Sequence, residues 1–193
     1  MSPKKIAVIV GSLRKESLNR LFAQEVIALA PPSLLLEIVE INELNLFNQD
    51  LEENGESAPE AWTRFRQNMA SKDGVLFFTP EYNRSVPGVL KNAIDIGSRP
   101  YGESVWAGKP AAIVSVSPGA SGGFGANHHL RQSMVFLDMP LLQQPEAYIG
   151  GATRLLGPGG NLNDDGTTQF LKKFIDAFAA WVEINTAKST GLI

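Results

Sequence analysis

Ile6-Ala7-Val8-Ile9-Val10 is an unbroken apolar run closed by Gly11. A strand with one wet face alternates apolar and polar residues, so a continuous run marks a strand covered on both faces, the condition of a parallel sheet. Leu18, Leu21, Phe22, Val26 and Leu29 follow at helical spacing, and Pro31-Pro32 stops that helix. Leu34–Ile41 returns to strand character, and residues 42–59 form a polar stretch. Trp62, Phe65 and Met69 predict a second helix, and Val75–Phe78 after Gly74 a third strand. Val86, Val89, Leu90, Ala93 and Ile94 make a helical stripe with Pro87 in its first turn. Ala111–Val116 reads as a fourth strand, His129–Leu137 as a helix and Pro140–Leu142 as a short fifth strand. Phe170, Leu171, Phe174, Ile175, Phe178, Trp181 and Val182 close the chain's pattern as an amphipathic helix, after a Gly157–Gly166 loop. Strand–helix alternation of this kind predicts a doubly wound α/β domain over residues 1–193: a five-stranded parallel sheet with helices on both faces.

Composition narrows what such a domain does. The 193 residues carry a net charge of −3, and Lys4-Lys5 and Lys172-Lys173 are isolated pairs rather than a basic stripe. Nucleic acid and anionic membrane surfaces are therefore not expected partners. The absence of cysteine excludes disulfides, thiolate nucleophiles and cysteine-ligated metal centres. No apolar run approaches the ~20 residues of a membrane span, and Ile6–Val10 is too short for a signal segment, so the expected address is the cytoplasm.

In open α/β sheets ligands bind beyond the carboxyl ends of the strands, where strand order reverses. Three loops qualify. Gly11-Ser12-Leu13-Arg14-Lys15-Glu16-Ser17-Leu18-Asn19 joins a strand to a helix N-terminus and offers two hydroxyls, an amide and an arginine fork, a set suited to a terminal phosphate. Ser17 also serves as an ordinary helix cap. Thr79-Pro80-Glu81-Tyr82-Asn83-Arg84-Ser85 empties from a buried strand into a polar, aromatic rim, where Tyr82 can lie along a flat ring; an ordinary Pro-bounded turn is the plainer reading. Ser117-Pro118-Gly119-Ala120-Ser121-Gly122-Gly123 lets backbone approach a flat ligand closely, or is simply a flexible loop.

Several chemistries fail on residue arithmetic. The first loop is neither a Walker A motif nor Gly-x-Gly-x-x-Gly. A phosphatase loop at this place needs a cysteine. Gly119-Ala120-Ser121-Gly122-Gly123 matches a nucleophile elbow formally, but both histidines, His128 and His129, lie within eight residues of Ser121 and none follows to act as base. Adjacent histidines on one helix point different ways, so no metal site is expected; they read as partly buried or interface residues.

Taken together these segments resemble the NADPH-dependent FMN reductase family, with its bacterial quinone and chromate reductases. Gly11-Ser12-Leu13-Arg14, Ser17 and Asn19 look like its phosphate loop, and Thr79-Pro80-Glu81-Tyr82-Asn83 followed by Val86-Pro87-Gly88-Val89-Leu90-Lys91-Asn92-Ala93-Ile94-Asp95 like its most specific signature. The resemblance implies a flavodoxin-like fold holding FMN, with NAD(P)H as co-substrate and quinones, chromate or free flavin as acceptors. It implies that Ser12, Arg14, Ser17, Leu18 and Asn19 take the phosphate end. Pro80, Glu81, Tyr82 and Asn83 take the ring and ribityl region, and Ser117, Gly119, Gly122 and Gly123 the ring's other edge. No side chain then acts as nucleophile. The rival class is a flavodoxin-like electron carrier, usually more acidic than this chain. The family's partner subunit walls the flavin pocket; aromatic and arginine residues around Val89–Tyr101 and Trp106 point the same way, to a homodimer or homotetramer. Gly125 and His128 stand where some members have an arginine and a tyrosine at that contact.

Overall fold

The computed structural model describes residues 2–53 and 58–189. Five strands alternate with the main helices: β1 Lys4–Val10, α1 Leu18–Leu29, β2 Leu34–Ile38, α2 Asp50–Glu53, α3 Glu60–Ala70, β3 Gly74–Thr79, α4 Gly88–Gly97, β4 Ala111–Val116, α5 Phe124–Phe136, β5 Ala147–Ile149 and α6 Asp165–Ser189. Every pairing is parallel, and the order is β2-β1-β3-β4-β5. This is the flavodoxin-like arrangement, with its switch point between β1 and β3.

The unbroken apolar strands divide their side chains between two cores. Ile6, Val8 and Val10 of β1, with Leu76 and Phe78 of β3, meet Phe22 and Val26 of α1 and Leu171, Phe174 and Phe178 of α6. Ala7, Ile9, Val75 and Phe77 point the other way, onto Trp62 and Phe65 of α3, Leu90 and Ile94 of α4, and Leu130 and Met134 of α5. The central strands are wholly buried because helices cover both faces, which is what their continuous apolar runs require.

The structure corrects three boundaries, the first being β2, which ends at Ile38 rather than Ile41. The fifth strand is Ala147–Ile149, paired with Val114–Val116, and not Pro140–Leu142. That earlier segment makes one bridge at Ala111: Pro140 O accepts from Ala111 N at 2.9 Å and Leu142 N donates to Ala111 O at 2.8 Å. Proline brings no N–H to extend the ladder. α5 begins at Phe124, five residues ahead of the apolar stripe, because its first turn is hidden among glycines. Trp106 is wholly buried in its own chain, its Nε1 donating to Ile94 O at 2.9 Å, and so belongs to no surface contact, while Tyr101 stands exposed. Among the described residues no helix is long and apolar enough to cross a membrane.

Candidate functional site

β1, β3 and β4 end side by side, and the loops that leave them enclose a cleft of about 240 Å³. It brings together Ser12, Arg14, Ser17, Leu18 and Asn19 from the first loop, Pro80, Glu81 and Tyr82 from the second, and Ser117 from the third. Glu16, Val116 and Pro118 also line it, though residue type gave no reason to single them out.

The first wall is local structure. Ser17 is the N-cap of α1, its Oγ accepting from Arg20 N at 3.2 Å, and no acidic residue in the helix's first turn offsets its positive end. The plain cap reading of Ser17 is thus correct, and a capping hydroxyl still has a proton to donate. Asn19, 3% exposed, donates Nδ2 to Val116 O at 3.2 Å. That bond fixes the amide's orientation and leaves Asn19 Oδ1 buried with no partner among the described residues. A buried acceptor left so costs about 1–3 kcal/mol; a ligand hydroxyl would relieve it. Arg14 is exposed and makes no ion pair or hydrogen bond among the described residues. Arg20 differs: Glu40 holds both its terminal nitrogens at 2.9 and 2.6 Å, and that hydrogen-bonded pairing raises its pKa.

The second wall is a tight hairpin. Tyr82 N donates to Ser85 O at 3.1 Å and Ser85 N to Tyr82 O at 3.0 Å, with Asn83 (φ 51°) and Arg84 (φ 66°) both left-handed between them. Arginine in that region is strained by on the order of 1 kcal/mol. Two contacts tie the hairpin to α5: Glu81 Oε2 accepts from Ala126 N at 3.0 Å, and Ser85 Oγ lies 3.0 Å from His129 Nδ1. α5 has no side-chain cap of its own, so Glu81 supplies the anion its N-terminus lacks. Gly125 makes the approach possible, since a Cβ there would lie 2.9 Å from Glu81 Oε2 and 3.0 Å from Arg84 O.

Four residues expected at the site do not line the cleft: Asn83, Gly119, Gly122 and Gly123. Asn83 serves the turn. Two of the glycines answer to packing of the loop on the sheet: a Cβ would come within 2.7 Å of the Tyr148 backbone at Gly122 (φ 61°) and within 3.0 Å of Ser115 Cβ at Gly123 (φ 77°). Ser117 Oγ accepts from Gly119 N at 3.1 Å and so shapes this loop while lining the cleft. The histidines are both exposed in the chain, contrary to partial burial. His128 Nε2 lies 3.0 Å from Tyr148 Oη, beside Phe124. Desolvation, then the Glu146 carboxylate, pushes the Tyr148 hydroxyl up to about 12, so it stays a protonated donor at neutral pH.

A larger cleft, about 830 Å³, lies on the other side of the first loop. Its Arg20 is paired to Glu40 and its Arg64 to Glu43 and Glu60, so those arginines are already occupied. Ser12 and Arg14 line both clefts, and the smaller one alone holds the switch point and the unpartnered Asn19 Oδ1.

Known proteins agree with this geometry. The model of the family described as NADPH-dependent FMN reductase matches residues 4–154. A quinone reductase of Pseudomonas putida is 63% identical over 182 residues, 94% of this chain and 96% of that protein. A 2-hydroxy-1,4-benzoquinone reductase of a Burkholderia species is 46% identical over 178 residues, 92% and 96% of the two chains. Among solved structures, the flavoenzyme NAD(P)H:(acceptor) oxidoreductase of Paracoccus denitrificans superposes with a TM-score of 0.87 at 40% identity, covering 94% of this chain and 98% of that one. With its sheet order, its cleft at the β1–β3 switch and these matches, the chain belongs to the NADPH-dependent FMN reductase family.

Proposed function

We propose that this protein is an NAD(P)H-dependent quinone reductase working through FMN bound in the 240 Å³ cleft. The observation that carries the reading is the buried Asn19 Oδ1 at the switch point, in the same cleft as Arg14, neither of them with a partner among the described residues. Ser12, Ser17 and the backbone at the start of α1 hold the phosphate, with Arg14 adding charge-assisted hydrogen bonds. Asn19 accepts from the ribityl chain. Pro80, Glu81, Tyr82 and Ser117 border the ring. FMN, when bound, supplies the hydride chemistry. The protein's residues bind, orient and leave one side of the site open: Tyr82 is 47% exposed, a rim that admits donor and acceptor in turn. An electron carrier without turnover has no use for that opening. Chromate and free flavin belong to the same reading as further acceptors, and the cytoplasm as the compartment.

The chain works as a homodimer or a dimer of dimers. Val135 and Phe136 of α5 are exposed beside a cavity of about 260 Å³ lined by Ser98, Arg99 and Ser133, and Arg99 Nε is buried without a partner among the described residues. A second copy seated here covers the apolar pair and satisfies the arginine.

The purified protein should be yellow, hold about one FMN per chain, and scatter light as at least twice 20.9 kDa. Double-reciprocal plots at fixed quinone concentrations should be parallel. Protein that stays colourless after incubation with FMN ends the proposal, and intersecting lines end the shared platform.

A further inference from the structure

We infer that Arg84 is the residue that captures the phosphates of the pyridine-nucleotide donor; this rests on the quinone reductase reading above. Two-residue turns with both central residues left-handed suit glycine and asparagine. Asn83 fits that rule and Arg84 at φ 66° does not. The turn's bonds are backbone bonds that a glycine would make equally well, so among the described residues the arginine side chain does little to repay the strain. The Arg84 side chain is 85% exposed, and its ion-pair partner is Glu81 Oε1 at a loose 3.5 Å. Glu81's other oxygen is held by Ala126 N. Strain kept at the rim of a site, with the side chain 85% exposed rather than packed, points to a ligand.

The position fits a polyanionic donor. Arg84 lies two residues beyond Tyr82, which lines the cleft, and the hairpin is braced from α5 at Glu81 and Ser85, so the guanidinium stands on a fixed base. A chain of net charge −3 repels NAD(P)H, and a cation at the cleft mouth reverses that locally. The planar fork matches phosphate oxygens in pairs. Arg14 is committed to the cofactor's own phosphate, and a neutral quinone gains nothing from either charge.

The test is Arg84→Gly in the FMN-loaded enzyme, with Arg84→Lys beside it. In ping-pong kinetics each kcat/KM reports its own half-reaction. For Arg84→Gly, kcat/KM for NADPH should fall about tenfold, the scale of one charge-assisted contact, with a smaller fall for NADH. The value for a neutral quinone should hold, calorimetric affinity of the oxidised holoenzyme for NADP⁺ should weaken by the same factor, and Tm should rise as the turn relaxes. Arg84→Lys should recover most of the NADPH efficiency by keeping the charge. An unchanged NADPH efficiency in Arg84→Gly overturns the assignment. So does a lowered Tm with equal losses for donor and quinone, which makes Arg84 structural. Wild-type protein that oxidises no NADPH in the presence of quinone ends the quinone reductase reading and this assignment with it; wild-type turnover with an indifferent variant ends the assignment alone.

Discussion

The two walls of the cleft are built by opposite means. Residues 12–19 need only a strand end and a helix start: Ser17 caps α1 within three residues of itself, and its neighbours are presented by the helix that follows. Residues 80–85 stand on partners about 44 residues away, through Glu81 to Ala126 and Ser85 to His129, and carry a left-handed arginine besides. The first wall is made by propensity and geometry of one βα unit. The second exists only once α5 has docked. Damage to the first should stay local and ligand-specific, whereas damage to the second should spread.

The largest expected effect that sharpens this contrast is Glu81→Ala. It strips α5 of its N-terminal anion and leaves Ala126 N without its acceptor, so unfolding free energy should fall by about 3 kcal/mol, with FMN and riboflavin binding weakened alike. Chemical denaturation with flavin titration measures both; full stability in this variant removes the tertiary brace. Next comes Arg14→Ala, expected to weaken FMN by about 2 kcal/mol while sparing riboflavin, which has no phosphate, and leaving stability unchanged. Equal weakening of the two flavins in a fluorescence titration would take Arg14 away from the phosphate. The smallest effect belongs to Ser17→Ala, about 1 kcal/mol of stability from the lost cap. A loss as large as that of Glu81→Ala would abolish the distinction between the walls.

The same contrast explains what could be read from residues alone. The central strands, α1, α3, α4 and α6 announce themselves because burial on both faces or on one stripe writes a period into the chain. The Ser17 cap and the first loop's place at the cleft were legible too, since a cap beside a helix start is a short-range signal. Pro140–Leu142 was misread because a lone bridge and a three-residue strand leave the same brief apolar mark. Gly122 and Gly123 show why a ligand cradle is hard to read, since a glycine demanded by a neighbouring strand looks identical in sequence to one demanded by a ligand. Glu81 as the cap of a distant helix was the hardest to see. The one trace was negative: α5 follows a Gly123 N-cap, with no acid in its first turn and no capping side chain of its own.

The two cores also differ in when the chain can complete them. The face that holds Trp62, Trp106 and Met134 draws its buried residues from Ala7 to Leu141. The opposite face takes Phe22 and Val26 from near the beginning and Leu171, Phe174, Phe178 and Val182 from α6. During synthesis the first face can close while α6 is still inside the ribosome, and α1, bearing the phosphate wall on its leading end, must wait with its apolar side uncovered. Leu162 N bonded to Glu25 Oε1 at 3.2 Å marks the same late closure, joining positions 137 residues apart. The cofactor wall at the head of α1 therefore leans on α6, a helix far from it along the chain.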